Sequence, residues 1–466
     1  MSATGERAAG DDGGGGDDAG ATGYVALLRR NREFRRLWLG QVVSQLGDWF
    51  NTIAVMTLTL RLTGSGRAVG LIFVTRFLPS VIISPLSGVV ADRFNRRRVM
   101  IWSDALRAVV VLGFLFVRRP EHVWLIYVLT VAQLALSTFF EPARSAAIPS
   151  VVAPRDLIAA NAISSVTWSA MLTLGAAVGG AITGLFGTDA SFALDSLTYV
   201  GSALLIAGIR LPPRPPRPRT RLTAAKALGI TDTLEGLAYV RARPRVLAYM
   251  SVKAGWCLCG GILLLLAVFG EQIFPLGGSA AAGIGVLYAV RGIGTAVGPI
   301  VARRVAGDSR RAMERVIGLS FIVGGVFYVA FALSTNFALA LVVLAAAHAG
   351  GSTLWVFSTV LLQQSVEDEF RGRVFAAELA ALTLALAASN YVTGELLDRF
   401  HFGVRAVTVG TGLLFFLPGL LWFATARWWD TPRAGGDEPP PRPEAATTAP
   451  ADSTAGRVME DDKQGV

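Results

Sequence analysis

GVVADRFNRRR, running from Gly88 to Arg98, places one acid and four arginines between two long apolar runs, Ala68–Val90 and Val99–Val117. In water such a stretch is an ordinary solvated turn. Here each flank approaches the ~20 residues needed to cross hydrocarbon, so the charges form a knot between two spanning helices.

The rest of the chain extends this reading. Of 466 residues 53% are hydrophobic and 16% charged, too apolar for an ordinary soluble protein of this length. Apolar runs recur at Leu37–Leu60, Ala68–Val90, Val99–Val117, Val123–Phe140, Leu157–Phe186, Ser191–Ile209, Val246–Phe269, Ala280–Ala302, Val316–Leu333, Ala338–Leu362, Val374–Leu397 and Val404–Ala426. Twelve spanning helices are expected. The first run is long enough to span and lacks a small-residue cleavage site, so no cleavable signal peptide is expected. Met1–Gly23 is rich in Gly and Asp, and Thr431–Val466 in Pro, Glu, Asp and Thr; neither composition buries a core, and disorder is expected in both.

The net charge of +10 has a topological meaning. The two tails carry −4 and −3, which leaves +17 on Tyr24–Asp430. With loops assigned alternately, one side holds Arg29 to Arg36, Arg93 to Arg98, Arg144, Arg155, the stretch Arg210–Arg245, Arg303 to Arg315, Arg371, Arg373 and Arg427. The other holds only Arg61, Arg67, Arg118, Arg119, Arg399 and Arg405. The positive-inside rule then puts both termini in the cytoplasm and removes the need for a nucleic-acid partner.

The polar stretch Leu211–Lys226 divides the chain into halves. GLIFVTR at Gly70–Arg76 and GVLYAVR at Gly285–Arg291 repeat at an offset of 285 − 70 = 215, which also superposes Gly40 on Gly255, Ser137-Thr138 on Ser352-Thr353 and Gly179 on Gly394. A duplicated six-helix unit is expected, with a site between the copies near the midplane. The offset carries the opening stretch onto Arg303–Met313, which keeps its arginines but has only Asp308 as an acid. Chemistry tied to that loop belongs to the first copy.

A charged side chain at membrane depth needs a partner, a wet cavity or a job. Gln41, Gln45, Asp48 and Thr52 share one face of the first helix, with Asp48 about halfway along it. A carboxylate facing a cavity there is placed to exchange a proton with substrate; the alternative is a residue hydrogen-bonded near the outer surface. Asp195 and Glu378 are further intramembrane acids and candidates for the same proton coupling. Gln133, Ser137 and Glu141 share a face of the fourth helix, and His348, Ser352, Trp355, Thr359 and Gln363 one of the tenth. Together with Trp168 these stripes suit a polar and aromatic cavity for an amphipathic ligand, or else helix–helix hydrogen bonds. Arg76 and its repeat mate Arg291 either attract an anionic substrate or pair with Asp48, Asp195 or Glu378 as interhelical glue. Asp104 and Arg107, three apart, read as support for the opening loop. Gly175, Gly179 and Gly180 form a small-residue face for close helix contact.

Several chemistries lack their residues. There is no G-x-x-x-x-G-K-[ST] loop among only three lysines, no H-E-x-x-H and no G-x-S-x-G. Cys257 and Cys259 with three histidines cannot build a structural zinc site and read as buried thiols. No enzyme activity, cofactor or metal is expected, and an ion gradient remains as the energy source.

GVVADRFNRRR closely resembles the G-x-x-x-D-R-x-G-R-R/K loop of the major facilitator superfamily, with Asn95 at the second Gly, a mild change because Asn tolerates left-handed backbone. NREFRRLWLGQVVSQLGDWFNTIAV (Asn31–Val55), FEPARSAAIPSVV (Phe140–Val152) and QQSVEDEFRGRVFA (Gln363–Ala376) resemble its enterobactin-exporter and macrolide-efflux branch. Gly175-Ala-Ala-Val-Gly179-Gly180 resembles the antiporter G-P-x-x-G-G element, with Ala176 for Pro. The resemblance implies an all-α membrane protein of twelve transmembrane helices in two pseudo-symmetric six-helix bundles, 31–210 and 245–430, joined by a cytoplasmic linker, 211–244, between tails 1–30 and 431–466. It implies a proton-coupled exporter of an amphipathic small molecule, monomeric in the bacterial inner membrane, with Gly88, Asp92, Arg93, Arg96 and Arg97 as a cytoplasmic latch against the eleventh helix. A lysolipid or solute facilitator, or a non-transporting receptor, would share these features.

Overall fold

The computed structural model describes residues 24–211, 230–259, 261–307 and 309–429. Both tails beyond these limits, most of the 211–229 stretch, Gly260 and Asp308 lie outside them, as do the surroundings of Gly88 and the side chains of Asp92 and Arg93. All regular structure among the described residues is helical: α1 Tyr24–Arg30, α2 Arg32–Thr63, α3 Gly66–Arg93, α4 Arg96–Leu112, α5 Val123–Val151, α6 Leu157–Ala170, α7 Ala176–Ala207, α8 Ile230–Arg241, α9 Pro244–Leu258, α10 Ile262–Gln272, α11 Ala280–Ala306, α12 Arg310–Leu333, α13 Phe337–Ser365, α14 Asp368–Asp398, α15 Val404–Leu414 and α16 Phe416–Trp429.

Local sequence sets where these helices begin. Asn31, Ser65, Asn95, Ser279, Ser309 and Asn336 each accept a backbone N–H of the first turn on their side-chain oxygen. Asn95 therefore caps α4, with its backbone extended at φ −66° and ψ 112° and making no use of the left-handed conformation that Asn tolerates. Gly64 does take that conformation, φ 60°, to end α2.

Among the described residues nine segments are long and apolar enough to cross a membrane. The longest, Pro154–Ala207, folds back on itself at Gly187, where φ is 85° and any side chain would be strained. Thr183 and Ser191 share a 2.8 Å hydrogen bond across that bend. Outside these nine, α2 and α3 have 32 and 28 residues, about 48 and 42 Å at 1.5 Å per residue. Exposed apolar side chains ring the molecule, including Trp102, Phe116, Leu185, Leu204 and Val305. In water that surface would be an aggregation patch; in lipid it is the solvated face.

One end of the molecule carries α1, the α3–α4 junction and the end of α16; call it the terminal face. Cations there cap helix C-termini: Arg36 binds the carbonyl of Gly208, Arg97 that of Ala207 and Arg96 that of Ala146. On the same face α8 is held to α14 by Arg373 on Glu235 at 3.1 Å and by Tyr239 stacked on Phe370 at 4.4 Å.

The N-terminal helices α2–α7 and the C-terminal helices α9–α16 meet through α3 against α14 and α7 against α11. Glycine makes both approaches close. A Cβ on Gly180 would sit 2.7 Å from Gly285 Cα, one on Gly70 2.7 Å from Asn390 O, and one on Gly394 2.6 Å from Arg67 Cα. These contacts lie from the middle of the molecule to the end opposite the terminal face, the distal end.

Candidate functional site

Between the two sets of helices lies a cavity of about 330 Å³, walled by Gln45, Asp48, Trp49, Thr52, Met56, Phe73, Arg76, Trp168, Met171, Leu172, Leu263, Tyr288 and Arg291. Six residues singled out in the sequence meet in it: Gln45, Asp48, Thr52, Arg76, Trp168 and Arg291. A larger groove of about 430 Å³, lined by Val90, Phe94, Trp102, Leu106 and Phe139, opens on the outer surface and holds none of the intramembrane acids. The polar chemistry is in the smaller cavity.

Two local features open its wall. Met171–Gly175 forms a π-helical turn between α6 and α7, which presents Met171 and Leu172 to the cavity. Gly175 and Gly179 then let Trp49 of α2 pack on the backbone, with virtual Cβ contacts of 2.5 Å to Cδ1 and 2.9 Å to the carbonyl oxygen. Gly180 turns the other way, onto Gly285 of α11.

Behind Asp48 lies a buried cluster. The Tyr199 hydroxyl donates to Asp48 Oδ1 and accepts from Gln133 Nε2 at 2.9 Å. The Arg107 guanidinium lies 4.4 Å from the Tyr199 ring centre and is ion-paired with Asp104, which also accepts from Ser202 Oγ at 2.7 Å. Asp104 and Arg107 thus face α7, and not the opening loop that the sequence spacing assigns them to. Asp195 is fully buried where the missing side chain of Gly47 leaves room, and its Oδ2 has no hydrogen-bond partner. Three carboxylates thereby share one arginine.

The remaining expected residues divide. Gln41 is drawn away from the cavity by Arg144, whose Nη1 donates to Gln41 Oε1 at 2.9 Å while its Nε reaches Glu141 at 2.6 Å. Ser137 is half-buried on α5. His348 is buried against Tyr328, 3.3 Å from its hydroxyl. Ser352 and Thr359 bond carbonyls of their own helix, at Ala349 and Trp355. Glu378 forms a buried 2.9 Å ion pair with Lys253, whose ammonium also lies 5.2 Å from the Trp355 ring centre. Lys253 was overlooked in the sequence, although it is the single lysine inside an apolar run.

At the distal end Asp398 of α14 accepts from the N–H of Gly66 and of Arg67, each at 2.9 Å, and from the Ser65 hydroxyl. A carboxylate thus caps the N-terminus of α3 across the junction of the halves. On the terminal face Arg96 and Arg97 are turned onto carbonyls of their own half.

A bundle of long apolar helices around a central polar cavity, closed at one end by glycine contacts, defines a membrane transporter. The chain belongs to the Major Facilitator Superfamily, whose sequence profile matches residues 37–378. It is 24% identical to the putative bacilysin exporter of Bacillus subtilis over 78% of this chain and 88% of that protein. It is 23% identical to macrolide efflux protein A of Streptococcus pyogenes, over 84% of this chain and 93% of that one. Among solved structures it superposes on a bacterial homologue of the human lysosomal transporter Spinster, in an inward-facing and unoccupied conformation. The TM-score is 0.68 at 15% identity, covering 86% of this chain and 98% of that one. This likeness establishes the fold.

Proposed function

We propose that the chain is a proton-coupled exporter of an amphipathic small molecule, working by alternating access as twelve spanning helices in two six-helix bundles. The observation that carries the reading is Asp48, at the wall of the central cavity and joined by Tyr199 to a buried cluster of three acids and one arginine. Three buried carboxylates set against one arginine at membrane depth are costly to keep without a role, and proton exchange is such a role. Asp48 is the member that both the cavity and the cluster reach. Efflux as the direction is supported by the names of two relatives spanning most of this chain.

In this reading the terminal face is cytoplasmic, as its arginines indicate. Closure is at the distal end, so the cavity is accessible from the cytoplasm and ready to load substrate. Arg96 and Arg97 bind their own half in this state; with Asp92 and Arg93 they form the latch against α14 when the cytoplasmic side closes. The protein acts as a monomer in the bacterial inner membrane, with both tails and the 211–244 linker in the cytoplasm.

The test is substrate efflux from cells lacking other pumps, over a panel of amphipathic compounds, with and without a protonophore. Asp48→Asn is expected to abolish concentrative efflux while the protein still folds and binds substrate. A variant that concentrates substrate as the parent does removes Asp48 from the coupling role.

A further inference from the structure

The cavity carries more positive than negative charge. Arg76 and Arg291 both line it, with Asp48 as the only carboxylate among its described lining residues, which leaves a net charge of +1 when Asp48 is ionised. Among the described residues neither guanidinium makes an ion pair or a hydrogen bond, and Arg291 Nε is buried without a partner. Apart from Asp48, which shares the cavity, the acids that could have neutralised them are engaged elsewhere. Glu378 holds Lys253, Asp104 holds Arg107, and Asp195 lies behind Gly47 in the N-terminal half.

Unpaired arginines at membrane depth are expensive to keep. The 215-residue offset makes these two repeat mates, one from α3 and one from α11, and both line one cavity. Two planar guanidiniums facing a shared space match a carboxylate, which can accept from both. The surrounding wall of Trp49, Trp168 and Tyr288 suits a flat apolar body attached to it.

We propose that the cargo of this cavity is a carboxylate-bearing molecule whose anionic group sits between Arg76 and Arg291. This deepens the transport reading, on which it rests for the meaning of the cavity, by naming the substrate class. It also excludes simple organic cations as preferred cargo, because the cavity repels them.

Binding to the purified full-length protein in nanodiscs separates the two ideas, since no transport is needed. Three probes share one ring system: indole-3-acetate, its neutral amide, and the cation tryptamine. The carboxylate is expected to bind at least about tenfold tighter than the amide, the scale of one charge-assisted hydrogen bond, with tryptamine weakest. Arg76→Gln and Arg291→Gln should each remove most of that preference, while Arg76→Lys keeps part of it and controls for folding. Equal binding of acid and amide, tryptamine binding most tightly, no carboxylate binding at millimolar concentration, or an unchanged preference in the double Gln variant would each overturn the proposal. Carboxylate preference without efflux would sink the exporter reading and leave this one standing; efflux of neutral compounds without the preference would do the reverse.

Discussion

Asp104 and Asp195 differ in a way that stability measurements can read. Asp104 is ion-paired with Arg107, both nearly inaccessible, so Asp104→Asn removes the direct partner of a buried cation. Breaking one partner of a buried pair costs about 3–5 kcal/mol, and a large fall in the thermal midpoint is expected. Asp195 has an unpartnered buried oxygen, a place where a neutral amide is no worse an occupant than a carboxylate. Asp195→Asn should therefore shift stability by about 1 kcal/mol or less. Equal losses in the two variants, measured by thermal unfolding in detergent, would refute this division of charge. Asp48 was legible in the sequence because a polar stripe on an apolar helix is a local pattern. Its partner Tyr199 was not, because a hydroxyl 151 residues away is brought to it only by packing. Arg291 was legible through its repeat mate Arg76, but its lack of an acid was not, since Lys253 had first to be seen taking Glu378.

Closure at the distal end depends on two helix pairs, α7 with α11 and α3 with α14. In the first, Gly180 and Gly285 meet backbone to backbone, so Gly180→Leu has no room at this junction. The variant should fold, because each half keeps its own core, yet hold the distal side open and stop transport. Cysteine introduced at Gln45 should then become reactive to an impermeant maleimide from the distal side; no gain in reactivity would show that the junction is not the gate. In the second pair, Asp398 accepts two backbone N–H groups and one hydroxyl at the start of α3. Hydrogen bonds to a charged group are worth ~1.5–3 kcal/mol, so Asp398→Ala should favour the open distal state by about tenfold or more. Hydropathy revealed the helices themselves, and the glycine pattern marked α7 as a packing helix. Neither could show which helix each glycine faces, nor the π-helical turn at Met171–Gly175. Asn95 is ambiguous in the sequence for a related reason: capping and left-handed turns favour the same residue, and only the backbone angles separate them.

At the scale of the whole molecule, the 215-residue offset carries Gly285 onto Gly70, and each makes a close approach across the junction, to Gly180 and to Asn390. The repeat did not anticipate that the acidic latch at Asp398 belongs to one pair alone, because duplicated helices keep their packing while their ends diverge. Two halves that touch at one end and enclose a cavity at the middle can expose the other side only by rocking about that middle. The two faces must then move reciprocally. Spin labels at Ser150 and Gln364 report the terminal face, and labels at Arg119 and His401 the distal end. Cys257 and Cys259 are buried, so labelling should be confined to the introduced sites. In Asp398→Ala the distal pair should separate while the terminal pair closes, and the populations of the two changes should match within one sample. Distal separation with an unchanged terminal distance would mean that the latch frays locally, and rigid-body alternation would then have to be given up for this chain.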